Sequence, residues 1–358
     1  MKIFAFHLLN DYSGSPKVLM QLVKGWVAHD NSVHIVTCAG RQGFLSDIAG
    51  AHYHFFAYRW AKSTFLRLFL FFGSQFWLFW KTLFLVGRQD VVYINTVLPF
   101  GAALAGKLKG CKVIYHIHET SLKPAIFKRF LFAWVRFCAT EVVYVSQYLA
   151  QQEPISQRKK YILYNAIEDD FLQKAIENRR TPDTPQNVLM VCSLKVYKGV
   201  WQFVHLAEAN PQFRFRLIVN ASKEELTTFW ETYNLPANLE TSPTQTNLHP
   251  HYAWADAILN LSLPDAWVET FGLTIIEGMA YGLPAIVPPI GGIAELIEEG
   301  KNGFQCDSRD LPTLSAQLNR LLQDVPLYKN MAENARQKIA SFSEKNFIRQ
   351  SLAILKNK

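Results

Sequence analysis

The sequence has few cysteines, and they are not arranged as ligands or pairs. Cys38, Cys111, Cys138, Cys192 and Cys306 are five in 358 residues, odd in number and without a C-x-x-C pair. That excludes a disulfide framework and a cysteine zinc site, and it points to a reducing compartment. Charge is also sparse: 18% of residues are charged against 49% hydrophobic, which excludes a disordered, collagenous or low-complexity chain. No secretory leader is expected, because the apolar start IFAF ends in His7 and then Asn10–Asp11. The length suits two domains, at ~100–200 residues each, with a core apiece.

The net charge of +8 is unevenly placed. Residues 1–176 hold 20 Lys+Arg against 10 Asp+Glu, whereas residues 177–358 hold 17 against 19. A basic half suits nucleic acid or an anionic membrane.

Short apolar runs alternate with helical patterns throughout. The runs are 2–8, 33–38, 91–95, 112–118 and 141–146 in the first half, then 187–193, 215–220, 256–262 and 284–289. Between them, segments such as PKVLMQLVKGWVAHD and GVWQFVHLAEAN carry apolar residues at i, i+3, i+4 spacing. Continuous apolar strands separated by helices imply parallel sheets covered on both faces. The expected fold is therefore α/β, with two doubly wound Rossmann-like domains facing a cleft. Residues 1–177 form the first and 178–342 the second, joined at the polar stretch NRRTPDTPQN, with 343–358 packing back as a helix on the first. Ligands of such sheets bind beyond the carboxyl ends of the strands.

Three clusters fall there. In SLPDAWVETFGLTIIEGMAYGLPAIVPPIGGIAELIEEG, Glu269 and Glu277 are eight positions apart around Gly272 and a helix start. Free N–H groups at such a start suit a phosphate, and glycine permits close approach; acidic residues there also simply complement the helix dipole. In CSLKVYKGV, Lys195 and Lys198 leave a strand before a helix near Gly199, where they suit a diphosphate or are merely solvated. In YHIHET, His116 and His118 share a face and Glu119 follows. A metal there is a poor fit, since no third ligand is near in sequence.

The order E-x-F-G-L-x-x-x-E-x-M-A-x-G-L-P, continuing to Gly291, Gly292 and Glu295, resembles the signature of the family 4 retaining glycosyltransferases. The resemblance implies the GT-B fold and a nucleotide-sugar site. It assigns the donor sugar to Glu269 and the ribose hydroxyls to Glu277, with Phe271, Gly272, Leu273 and Gly292 also donor-binding. Lys198–Gly199 match the family's K-G, whereas its Gly-Arg pair is replaced by Cys192–Ser193, so that Lys195 stands in for the missing charge beside Ser193. His118 matches a functional histidine lining the sugar pocket, and Glu119 is the acceptor-side candidate. Gly14–Ser15 is a weaker version of a glycine pair contacting donor phosphate and acceptor, with Ser15 read as N-cap and Pro16 at N1. Catalysis is expected of Glu269, His118 and Lys198. Tyr164–Asn165 resembles the family's N-G motif.

The resemblance implies sugar transfer from a nucleoside-diphosphate sugar to a hydroxyl of a glycan or lipid-linked acceptor, in cell-surface polysaccharide or lipopolysaccharide synthesis. No D-x-D motif occurs, so neither a metal nor a cofactor is expected. The competing classes are a nucleotide-sugar epimerase of the same fold and a non-catalytic membrane-associated binding protein.

Residues 65–86 hold 16 apolar residues of 22, nine of them aromatic, but Arg67 and Lys81 leave only 13 residues between charges. A spanning helix needs ~20 nearly uninterrupted apolar residues. A core helix, a dimer face or an interfacial membrane helix remain, and with FKRFLFAWVRF (127–137) the reading favours an anionic membrane surface. Nucleic-acid binding is not expected, because these aromatics sit among leucines and not in basic grooves. The expected location is cytoplasmic, peripheral on the inner face of the membrane.

Overall fold

The computed structural model describes all residues except Trp60, Lys62, Gln157 and Lys358. It divides into two units, Met1–Asn165 with Glu344–Lys358, and Ala166–Ser343.

The first unit runs β1 (Lys2–Phe6), α1 (Gly14–Ala28), β2 (Ser32–Cys38), β3 (Ala51–Phe56), α2 (Thr64–Leu85), β4 (Val91–Asn95), α3 (Phe100–Leu108), β5 (Lys112–Ile117), α4 (Ala125–Cys138), β6 (Glu141–Tyr144), α5 (Gln147–Gln152) and β7 (Lys159–Ile162). The second runs α6 (Asp169–Glu177), β8 (Asn187–Ser193), α7 (Val200–Ala209), β9 (Arg214–Asn220), α8 (Lys223–Trp230), β10 (Leu239–Ser242), α9 (His249–Trp254), β11 (Ala257–Leu259), α10 (Leu273–Ala280), β12 (Ala285–Val287), β13 (Gly303–Gln305), α11 (Leu311–Gln323) and α12 (Val325–Lys338). The last helix, α13 (Glu344–Lys356), belongs to the first unit.

Both sheets are parallel. Their strand orders are β3-β2-β1-β4-β5-β6-β7 and β10-β9-β8-β11-β12-β13. The winding reverses between β1 and β4 in one unit and between β8 and β11 in the other. Such switch points leave a crevice beyond the strand ends. Central strands read as unbroken apolar runs because both faces are covered: Ile3, Ala5, Val92, Ile94 and Ile114 are fully buried.

The break falls at Asn165/Ala166, not at 177/178. The polar stretch is exposed chain inside the second unit, and α6 before it is anchored there by Phe171, whose ring lies 4.4 Å from His249 and 5.9 Å from Tyr252. Helix α13 packs on α1: the buried Trp26 indole N–H donates to Ser351 Oγ at 3.0 Å. The strands absent from the sequence reading are β3, β7, β10 and β13. All four are edge strands, the first three with polar or histidine-rich sequences and β13 with only three residues.

Helix α1 begins one residue before the expected N-cap. Ser13 is the N-cap, not Ser15, and Asp11 accepts from the Ser13 backbone N–H at 2.9 Å and from its hydroxyl. That local turn lets Gly14 enter the helix, so Ser15 and Pro16 lie in its first turn.

Candidate functional site

In the second unit the switch point brings the loop after β8 against the loop after β11. Lys198 Nζ lies 2.5 Å from Glu269 Oε1, and Ser262 Oγ donates to the same oxygen at 2.8 Å. Both ionic side chains are largely covered. Burial alone pushes the Glu269 carboxyl up, but Lys198 and Ser262 outweigh it and hold it below its ordinary value. Lys198 also sits 4.6 Å above the Trp267 ring, which stacks on Tyr197 at 5.2 Å.

Glycines make this approach possible. Gly199 has φ +78°, and a Cβ there would lie 2.0 Å from the Leu261 carbonyl oxygen. Gly291 has φ +104°, and a Cβ would lie 2.4 Å from the Glu269 carbonyl oxygen. No other residue type permits either contact.

Gly272, at φ +130°, turns the chain into α10. The N–H groups of Gly272, Leu273 and Thr274 donate to no described protein group, leaving an electropositive helix end. Glu277, buried in α10, accepts from the Tyr252 hydroxyl at 2.7 Å. Phe271 is buried edge-on against Phe342 at 5.9 Å. Gly292 is buried in the turn after β12, where its carbonyl accepts from Glu295 N–H at 3.3 Å. Ser193 ends β8, its carbonyl accepting from Lys195 N–H at 2.7 Å. Lys195 is exposed and, among the described residues, pairs with no carboxylate; Lys198 alone of the two lysines reaches Glu269. Burial pushes the Cys192 thiol up to about 12, so it is no nucleophile.

In the first unit the ends of β1, β4 and β5 converge on Asn95. Its side-chain oxygen accepts from His118 Nε2 at 2.9 Å, while its amide nitrogen donates to His7 Nδ1 at 3.0 Å and to the Ser15 carbonyl at 3.1 Å. This ties the start of α1, beside Gly14, to His118. His116 lies behind, its ring 4.3 Å from that of His118 and its Nδ1 2.9 Å from the Tyr93 hydroxyl. Burial holds all three imidazoles neutral, with His7 lowered to about 4, His116 to about 3 and His118 well below its ordinary value. Glu119 is half-buried at the end of β5. Burial pushes its carboxyl up to about 7, against opposing hydrogen bonds from the His118 and Val97 N–H groups and the Thr96 hydroxyl. Among the described residues no group of three His, Cys, Asp or Glu is placed to hold a metal ion.

Two family models match this chain, one described as Glycosyltransferase Family 4 over residues 12–171 and the other as Glycosyl transferases group 1 over residues 173–338. The chain belongs to the family 4 glycosyltransferases. N-acetyl-alpha-D-glucosaminyl L-malate synthase of Bacillus anthracis is 38% identical over 95 residues, covering 26% of this chain and 24% of the relative, so the match spans about a quarter of that protein. Anabaena Alr3699/HepE, solved in complex with UDP and glucose, superposes with a TM-score of 0.80 at 18% identity over 100% of both chains. Sucrose-phosphate synthase of Thermosynechococcus elongatus follows at 0.79 and 16% identity, over 99% of this chain and 98% of the other. These likenesses establish the GT-B fold.

In this glycosyltransferase the structure unites Lys198 with Glu269, and His118 with the first loop. Sequence reasoning missed the residues that hold them: Asn95, His7, Ser262 and Tyr252. The first three share one signal. Each is a polar residue at or just beyond the end of an apolar strand, where a doubly wound sheet presents side chains to its crevice. Tyr252 had no local signal, because it approaches Glu277 from a different helix.

Proposed function

We propose that the chain transfers a sugar from a nucleoside-diphosphate sugar to a hydroxyl of a glycan or lipid-linked acceptor, with retention at the anomeric carbon and without a metal. The observation that carries this reading is the Lys198–Glu269–Ser262 cluster at the switch point of the second sheet. A departing diphosphate gains negative charge as the glycosidic bond breaks, and a preorganised cation stabilises that charge more in the transition state than in the ground state. An ammonium has three donors, so Lys198 meets Glu269 and still has donors for a phosphate. The free N–H groups starting α10 supply further positive potential, and Glu277, oriented by Tyr252, accepts from the ribose hydroxyls. The UDP and glucose held by the Anabaena neighbour support this substrate class.

In the proposed reaction the bond from the anomeric carbon to the diphosphate oxygen breaks while the acceptor oxygen bonds to that carbon on the same face. The acceptor proton passes to the leaving phosphate oxygen, and no covalent enzyme intermediate forms. His118 and Glu119 serve the sugar and acceptor side. The pathway proposed is cell-surface polysaccharide or lipopolysaccharide synthesis at the cytoplasmic membrane face.

The test is a thermal-shift panel of nucleoside diphosphates and their sugars, followed by NMR of the products. Transfer or slow hydrolysis of one donor, with the anomeric configuration kept, is expected. Conversion of the donor to its epimer without transfer would identify an epimerase instead.

A further inference from the structure

Helix α2 is amphipathic the wrong way round. Its protein-facing side is partly polar, with Ser74, Gln75 and Thr82 buried beside Phe71 and Leu78. Its outer side carries Phe65, Phe69, Phe72, Phe76, Trp80 and Phe84, a stripe at i, i+3, i+4 spacing, with Trp77 alongside. The orientation is fixed by α3: Gln75 Oε1 accepts from Gly101 N–H at 3.2 Å, and a Cβ on Gly101 would lie 2.2 Å from the Gln75 carbonyl oxygen. Turning the helix over would bury the aromatics only by baring these polar contacts.

Phe65, Phe69, Phe76 and Phe84 are 84%, 69%, 67% and 83% exposed, and Trp77 and Trp80 are 58% and 44% exposed. At ~200 Å² per aromatic side chain, these six present roughly 800 Å². The largest apolar patch of a typical monomer is about 300–600 Å². The layer continues onto α4, where Phe130 lies 5.6 Å from Phe72 and 5.4 Å from Phe100, and Ile126 and Phe137 are exposed. Cations occur along the same stretch of chain. Lys109, Lys123, Arg129 and Arg136 are exposed, and among the described residues none pairs with a carboxylate. Residues 64–138 hold ten Lys+Arg against two Asp+Glu, and the whole first unit holds 23 against 8.

We infer that the α2–α4 face docks onto an anionic phospholipid surface, with α2 lying in the plane of the interface. The aromatic stripe runs from Phe65 to Phe84, about 28 Å at 1.5 Å per residue, along the helix and not at one end. A spanning α2 would carry Gln75 and Ser74 into hydrocarbon, whereas an in-plane helix buries only its outer stripe. A second copy is disfavoured as the occupant, because a two-fold interface would set these cations against themselves. An anionic lipid headgroup answers them instead. The inference does not depend on the sugar-transfer chemistry, since all its residues lie in the first unit and none in the nucleotide cluster.

The experiment is sedimentation of the full chain with phosphatidylcholine vesicles and with phosphatidylcholine–phosphatidylglycerol vesicles, at low and physiological salt. Binding is expected only to the anionic vesicles, weaker at higher salt, with a blue shift in tryptophan fluorescence. Arg129→Ala/Arg136→Ala should lower the partition coefficient more than tenfold, from about fivefold per cation removed. Trp77→Ser/Trp80→Ser should lower it too, with melting temperature and nucleotide affinity unchanged. Equal binding to neutral vesicles overturns the charge-based inference. So does no binding at low salt, and so does a dimer in sedimentation velocity that the tryptophan variant abolishes. Loss of vesicle binding with nucleotide binding intact, or the reverse, keeps this inference separable from the proposed activity.

Discussion

Glu269 and Lys198 meet at 2.5 Å although 71 residues separate them. The contact follows from topology: β8 and β11 are neighbours in the sheet, so the loops that leave their ends face each other. An ion pair this well covered stabilises the fold only while both members are present.

Lys198→Met should therefore have two effects that separate. Glu269 is left covered without its cation, which costs about 3 kcal/mol by the low end of the buried-pair range. The double variant Lys198→Met/Glu269→Gln should recover more than half of that in a denaturant titration, because no unpaired charge remains. Turnover should stay lost in both. Recovery of activity along with stability would mean that the lysine serves only as a structural partner. Lys195→Ala should leave stability unchanged, since Lys195 is exposed and, among the described residues, pairs with no carboxylate.

Tyr252→Phe removes the hydroxyl that donates to Glu277. Hydrogen bonds to charged groups are worth ~1.5–3 kcal/mol, and part of that should appear as a three- to tenfold loss of nucleoside-diphosphate affinity by calorimetry. Glu277→Ala should cost more. Glu269→Gln should leave that affinity near normal while abolishing turnover, because its proposed partner is the sugar. Equal losses for both glutamates would mean that their roles are misassigned.

Much of this architecture was legible because its signals are local. Unbroken runs such as VVYIN and NVLMVCS are what a doubly covered parallel strand needs, and Gly272 stands where the backbone takes φ +130°. The domain break was misplaced because a polar, proline-bearing stretch marks exposed chain, not necessarily a boundary; Phe171 carries α6 into the second unit on three aromatic contacts. The N-cap of α1 was misread because Ser13 and Ser15 are both capping residues, and only Asp11 selects between them. Asn95 and Ser262 act on residues 23 and 7 positions away in sequence, and such partners have no period to betray them.

Asn95 uses both ends of its amide, accepting from His118 and donating to His7 and Ser15. Asn95→Asp keeps the acceptor and deletes the donor, turning a carboxylate oxygen towards the His7 lone pair and the Ser15 carbonyl. We expect a stability loss of about 1–3 kcal/mol at neutral pH, since buried polar groups lose their partners. Acidification should shrink the deficit, because a protonated His7 restores a donor opposite the carboxylate. Imidazole titration by NMR should find His7 raised from about 4 in the variant. An unchanged His7 titration would break the proposed link between β4 and the first loop.

Trp26 and Ser351 couple the two ends of the chain within the first unit. A Cβ on Gly25 would lie 2.3 Å from Ile348 Cδ1, so α1 and α13 approach closely at that glycine. Gly25→Leu should force the helices apart and expose Trp26, lowering the melting temperature and red-shifting its fluorescence. Ser351→Ala, which removes the acceptor of the indole N–H and the donor to the Ile348 carbonyl, should cost less, about 1 kcal/mol. If both variants melt like the wild type, α13 does not stabilise the first unit.

Glu119 provides the pH test. Its carboxyl lies at about 7 in the folded protein, against ~4.3 for an exposed glutamic acid. Between those values the folded state keeps a proton that the unfolded chain has released. The contribution to stability is therefore full below about pH 4.3 and is lost as the pH rises through 7. His7, His116 and His118 pull the other way, because their folded values lie below 6.5, so the wild-type profile alone is ambiguous. The difference between wild type and Glu119→Gln isolates the carboxyl, since the amide never ionises. The wild type should lose melting temperature relative to the variant between pH 5 and 8. If Glu119 also handles a proton on the acceptor side, the wild-type turnover profile should carry an inflection near 7 that Glu119→Gln lacks. A flat melting difference across that range would show that the carboxyl ionises normally and remove it as a proton carrier at neutral pH.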